Sequence, residues 1–252
     1  MPSTKKNTKK QTKTTSKKRA LSSWNITVML SCAIASFVIG ISSGDPIIGS
    51  ILLAAGLIDS YLTCNQKKQG YIFGAINAIL VAYVGFVNHF YGAFILNAFI
   101  YAPLQIIGLF TWSKNQDKDH RVRIRKLTPK KAFILVSLCV AGSFLIGYGL
   151  TMIPNQQMAF LDATVCCIEI AALTIQNLRY AEAWWLWVIA DIFAISLWRI
   201  AFEEGGDNTF MNLLSTIAFF GFDTYGLIKW HHNLSKRKSP KKQTAINPRR
   251  TK

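Results

Sequence analysis

Negative charge is scarce in this sequence: 12 Asp and Glu stand against 29 Lys and Arg in 252 residues. Histidine is scarcer, with four, and neither a His-Glu-x-x-His pair nor a Gly-x-x-x-x-Gly-Lys-Ser/Thr phosphate loop occurs. Zinc-dependent hydrolysis and ATP hydrolysis of those types therefore have no residues to run on, no cofactor is called for, and the chain does not read as an enzyme. The five cysteines all lie in apolar stretches, with Cys166 and Cys167 adjacent, so no disulfide framework or metal site follows. Only 16% of residues are charged and 51% are apolar, which excludes a disordered chain and an ordinary soluble enzyme.

The charge that is present is segregated. Residues 1–20, 113–131 and 231–252 hold eight Lys/Arg each. Between them run apolar stretches of the roughly 20 residues that a helix needs to cross a bilayer. Eight such spans can be read, at 24–42, 46–64, 71–87, 90–112, 132–152, 158–178, 184–203 and 209–230. The short connections carry the Gly, Pro, Asn and Asp of helix breaks. A basic leader before an apolar run is also the pattern of a signal peptide, but 19 residues at 24–42 favour a retained span. The expected fold is an all-α polytopic membrane protein of eight transmembrane helices.

With eight spans both termini share a side. Together with the loops at 65–70, 113–131 and 179–182, and Lys229 at the edge of the last span, that side carries 28 of the 29 basic residues. The opposite loops have none and hold Asp45, Glu204 and Asp207. Lys/Arg excess marks the cytoplasmic side, so both termini are expected inside a bacterial cell membrane. The basic tails lack interleaved aromatics, so they read as topology signals attracted to anionic lipid, with no nucleic-acid partner.

An internal repeat orders the spans. Tyr101 to Trp112 and Phe219 to Trp230 match at an offset of 118, with an aromatic, a polar residue, Gly-Leu and Trp in register. One helix earlier an offset of 114 sets Asn77 on Asp191, and Asp59 and Glu169 correspond only after a further small shift. Two like-oriented three-helix units then need one crossing between them, a 3+1+3 arrangement with a substrate on the axis. The chain divides into a basic tail (1–20), an extra N-terminal helix (21–43), a first repeat (44–112), a basic loop (113–131), a linker helix (132–152), a second repeat (153–230) and a basic tail (231–252).

Asn77, Gln105, Asp191 and Asp223 lie six or seven residues from the basic ends of their helices. At 1.5 Å per residue that is about 10 Å deep in every case. Polar side chains at that depth belong in a shared cavity, where a ligand binds. Trp184, Trp187, Asp191 and Trp198 fall on one stripe of the seventh span, and Tyr101, Gln105, Gly108 and Trp112 on a stripe of the fourth. Aromatic walls with amides and carboxylates suit a flat, hydroxylated, neutral or cationic ligand, and the lack of basic residues disfavours a phosphorylated one. Trp112, Trp184, Trp185 and Trp230, being near helix ends, are equally read as headgroup anchors. Asp59 and Glu169 either line the path or bond between helices, and Arg199 either snorkels outward or pairs with Glu203 or Glu204.

Tyr101-x-x-x-Gln105-x-x-Gly108-x-x-x-Trp112, Trp184-x-x-Trp187-x-x-x-Asp191 and Tyr225-Gly226-x-x-x-Trp230 together resemble the PnuC family of vitamin transporters, over about 45–230. The resemblance implies a fold like that of the SWEET sugar transporters with full-length repeats, a homotrimer, and facilitated diffusion of nicotinamide riboside trapped by cytosolic phosphorylation. It also implies Gln105, Trp184, Trp187, Asp191 and Tyr225 as substrate contacts. Relatives that move thiamine or deoxynucleosides share this framework, and a sugar carrier of similar topology is a more distant alternative.

Overall fold

A computed structural model of the chain describes residues 21–42, 47–87, 91–154, 158–203 and 209–238. Most of both basic tails, and Asp45, His89, Glu204 and Asp207, lie outside these residues. The described residues form helices α1 (Ser23–Ser42), α2 (Ile48–Cys64), α3 (Gly70–Val87), α4 (Tyr91–Leu96), α5 (Ala102–Ser113), α6 (Pro129–Leu150), α7 (Ala159–Asn177), α8 (Ala183–Glu203) and α9 (Thr209–Lys238). A π-helical turn, Asn97–Tyr101, joins α4 to α5. Among the described residues, five helices are long and apolar enough to cross a membrane.

The π-turn has a local cause. Pro103 has no N–H to donate, and its ring crowds the carbonyl one turn back. The turn before it widens, and the Ala102 N–H reaches the Asn97 carbonyl five residues back. At the other end of the molecule α9 runs past the expected limit of 230 to Lys238.

Helices α2, α3, α5, α7, α8 and α9 pack in sequence, and α9 returns to α2, so the six enclose a common interior. Outside that ring, α1 lies on α2 and α6 on α7. The outer faces are apolar: Phe133, Leu145 and Trp24 are each at least 70% exposed, as a surface meeting acyl chains requires.

The two sets of three helices make matching contacts. The Tyr71 ring packs on Gly108, and the Trp184 ring packs on Gly226. The Trp112 Nε1–H donates to the Gln176 carbonyl at 3.0 Å, and the Trp230 Nε1–H to the Thr63 and Cys64 carbonyls at 3.3 and 3.1 Å. Asn177 Nδ2 donates to the Leu104 carbonyl, and Cys64 Sγ to the Phe222 carbonyl. These contacts relate the first two helices of the sets by an offset of 113 (Tyr71 to Trp184, Cys64 to Asn177), one less than sequence likeness suggests. Ala78, rather than Asn77, therefore stands opposite Asp191, and Gly56, rather than Asp59, opposite Glu169.

Tyr71, Trp112, Trp184 and Trp230 are almost wholly buried in one layer near the basic end, Tyr71 edge-on to Trp112, Trp184 edge-on to Trp230, and Trp112 tilted against Trp230. Trp112, Trp184 and Trp230 are thus interior packing residues and not headgroup anchors; Trp185, 52% exposed, faces outward. A methyl on Gly108 would sit 2.2 Å from Tyr71 Cε1, with no flexible side chain to yield. Gly108→Ala is expected to cost about 1–3 kcal/mol of stability, read as a lower unfolding temperature in detergent.

The basic 113–131 segment is an ordered strap over that aromatic layer. Val122, Ile124 and Leu127 alternate with arginines and are buried. Val122 N–H donates to the Gln66 carbonyl at 3.1 Å, in the connection before α3, and Arg125 N–H to the Arg179 carbonyl at 2.8 Å, in the connection before α8. Gln66 and Arg179 are equivalent positions, and both have positive φ, 60° and 68°. The strap returns through Ala181 N–H to the Arg125 carbonyl, Leu127 N–H to Glu182 Oε2 at 2.8 Å, and the Arg125 guanidinium stacked on Tyr180. Burial, and then the neighbouring Arg125, lowers the Arg179 pKa from its ordinary value.

Candidate functional site

Behind the aromatic layer the six-helix ring encloses a cavity of about 240 Å³. Its lining includes Asn77 of α3, Asn97 and Tyr101 of the π-turn, Gln105 of α5, Trp187 and Asp191 of α8, and Asp223 of α9. Asp59 of α2 and Glu169 and Gln176 of α7 complete its polar wall. No Lys, Arg or His is among the described residues that line it. The cavity is acidic and amide-lined, with one indole.

Each polar group is held in a definite way. Asn77 Nδ2 donates to the Leu52 carbonyl at 2.8 Å, which ties α3 to α2. The Tyr101 hydroxyl donates to Glu169 Oε2 at 2.7 Å, a bridge between the two helix sets. At the equivalent crossing, Phe219 packs on Gly56, an apolar copy of the same contact. Gln105 Nε2 approaches Asp59 Oδ2 at 3.5 Å across Gly74, where a Cβ would lie 2.4 Å from that oxygen. Trp187 stands at the position equivalent to Gly74 and fills the corresponding space, its Nε1–H donating to Gln176 Oε1 at 2.6 Å. Asp191 and Asp223 lie against one another.

Three oxygens in this wall, Asp59 Oδ1, Gln105 Oε1 and Asp191 Oδ2, are buried without a partner among the described residues. Buried acceptors without donors are uncommon, and all three belong to side chains of the cavity wall.

Of the eight residues singled out in the sequence, Asn77, Tyr101, Gln105, Trp187, Asp191 and Asp223 meet in this lining. Trp184 does not, because Gly226 leaves room for its indole between α8 and α9, where Trp230 covers it. Tyr225 does not either. Two residues from Asp223 it points about 200° around the helix, 43% exposed, and its hydroxyl accepts from Lys229 Nζ at 2.6 Å. Asp59 and Glu169 both line the cavity. Arg199 pairs with Glu203 at 3.3 Å on the exposed surface. Sequence reasoning missed Asn97 and Gln176. Asn97 carried the same signal as the others, an amide deep inside a span, whereas Gln176 lay too near the end of its helix to stand out.

The family profile described as nicotinamide mononucleotide transporter matches residues 46–232, which takes in every lining residue. The chain belongs to that family. It is 27% identical over 198 residues to the nicotinamide riboside transporter PnuC of Neisseria mucosa, covering 77% of this chain and 75% of that protein. The PnuC of Haemophilus influenzae is 31% identical over 147 residues, 57% of this chain and 65% of its own. A crystal structure of the vitamin B3 transporter PnuC superposes with a TM-score of 0.72 at 26% identity, over 87% of this chain and 94% of the other. Like these family members, the chain is a multi-pass membrane protein of helical fold.

Proposed function

We propose that this chain takes up nicotinamide riboside across the cell membrane by facilitated diffusion, with cytosolic phosphorylation trapping the product. The observation that carries the reading is the cavity itself: one indole face, four carboxyl side chains and four lining amides, with no basic residue among the described lining residues. A pyridinium ring is flat and positively charged, so Trp187 attracts it through its face and Asp191 and Asp223 through charge. Gln105 and Asn97 are placed to meet ribose hydroxyls. The family profile's description names the mononucleotide, and the relatives are named for the riboside. A phosphate entering this cavity would meet carboxylates and find no cation, which favours the riboside.

The arrangement fits eight membrane crossings: α1 as the extra helix, α2–α3–α5 and α7–α8–α9 as two like-oriented repeats, and α6 as the linker between them, in the manner of a full-length SWEET-like carrier. The basic face, with its strap, is the cytoplasmic side, and both termini lie there. The two repeats rock about the cavity to expose it alternately, and the assembly is a homotrimer.

Calorimetric titration of the purified protein with nicotinamide riboside, its 5′-monophosphate, thiamine and a deoxynucleoside tests the substrate. The riboside is expected to bind tightest and the monophosphate at least about tenfold more weakly. A preference for the monophosphate overturns the argument from charge, and a preference for thiamine moves the reading to a sister transporter with the same frame. Uptake into liposomes that contain only this chain tests whether it transports without a partner ATPase.

A further inference from the structure

Gln176 makes a side-chain contact within the polar wall that the other repeat lacks. It lies in the last turn of α7, 5% exposed; its side chain also meets the Tyr71 hydroxyl, and its backbone carbonyl and Oε1 perform two further tasks. Its backbone carbonyl accepts the Trp112 indole N–H at 3.0 Å, a contact repeated in the other half where the Thr63 carbonyl accepts from Trp230. That task belongs to the packing of the repeats and is indifferent to the side chain. The side-chain task has no counterpart. Gln176 Oε1 accepts the Trp187 N–H at 2.6 Å, whereas the Thr63 hydroxyl turns back to the Asp59 and Ser60 carbonyls of its own helix. The position equivalent to Trp187 is Gly74, so the first repeat has no indole to hold.

The bond also distinguishes two tryptophans of the same helix. Trp184, packed in the aromatic layer away from the cavity, has no acceptor for its N–H among the described residues. Trp187, whose ring faces the cavity, has one. An indole fixed at its N–H can no longer flip about its side-chain torsions, and it presents one face in one direction. Attraction between a cation and a ring depends on that orientation, because the ring edge repels what the face attracts. Without the Gln176 acceptor the indole N–H would turn toward the carboxylates that line the same space, Asp191 and Glu169, and take the ring face with it.

We propose that Gln176 is a positioning residue for ligand recognition: its side-chain amide holds the Trp187 indole in the plane that receives the flat cationic ring. This rests on the reading that Trp187 contacts the substrate, and the experiment separates the two. Nicotinamide riboside affinity is measured by calorimetry for wild type, Trp187→Ala, Gln176→Leu, Gln176→Glu, Trp187→Phe and the pair Gln176→Leu with Trp187→Phe. Gln176→Leu is expected to weaken binding about tenfold, and Gln176→Glu, which keeps an acceptor, to recover most of that loss. With phenylalanine at 187 there is no N–H to hold, so adding Gln176→Leu should change affinity less than twofold. Should Gln176→Leu not fold, replacing Trp187 by its sulfur isostere benzothienylalanine removes only the N–H, and the same loss is expected. Wild-type affinity in Gln176→Leu alongside weak binding in Trp187→Ala overturns the proposal and leaves the site standing, as does an equal Gln176→Leu effect in the phenylalanine background. Unchanged affinity in Trp187→Ala overturns both.

Discussion

Replacing Trp187 with alanine is expected to weaken binding of nicotinamide riboside about a hundredfold. A cation over a desolvated indole face is worth about 2 kcal/mol, and stacking of the flat ring adds roughly another 1. The sum of about 3 kcal/mol corresponds to two decades in Kd. Trp187 is the only tryptophan among the residues that line the cavity, so no second indole can take over its role. Trp185, two residues away and 52% exposed on the outer face, is the control. Trp185→Ala should leave affinity within twofold. If the two substitutions have equal effects, the ring is not received on Trp187 and the binding site lies elsewhere.

The second large effect is expected at Asp191. Its carboxyl is buried beside Asp223, and its Oδ2 has no partner among the described residues. Asparagine preserves the shape and removes the capacity for negative charge, so Asp191→Asn isolates charge from packing. Binding of the cationic riboside should fall about 10- to 30-fold, the range for losing one charged partner in a partly desolvated site. The reduced, uncharged dihydronicotinamide riboside provides the discriminating comparison. Its affinity, whatever the starting value, should change less than threefold on the same substitution. Parallel losses for the oxidised and reduced ligands would assign Asp191 to hydrogen bonding or packing and remove the electrostatic account of selectivity.

The all-helical, multi-pass character was legible in the sequence because bilayer thickness imposes length, and polar residues at one depth were legible because hydrocarbon makes each of them costly. Asn77, Gln105, Asp191 and Asp223 all reach the cavity for that reason. What composition could not supply was helix rotation finer than about one residue. Trp184 and Trp187 share a stripe in projection, yet the gap at Gly226 draws one into the packing layer while the other faces the cavity. Register within the repeats was off by one for a related reason. Asn77 and Asp191 look like a matched pair of polar residues, but contacts at Gly108 and Gly226 set Ala78 opposite Asp191. The strap was legible and overlooked: Val122, Ile124 and Leu127 punctuate a run of arginines and lysines, an alternation that a solvated loop does not need. The π-turn offered only Pro103 as a hint, and a proline does not say whether a helix kinks, stops or widens.

The strap also ties together the two connections it grips. Its two main-chain anchors, Val122 on Gln66 and Arg125 on Arg179, are three residues apart along the chain, a reach of roughly 10 Å when fully drawn out. While both anchors hold, the loops they grip can part by no more than that tether allows. A peptide leash of fixed length thus couples the connection before α3 to the connection before α8.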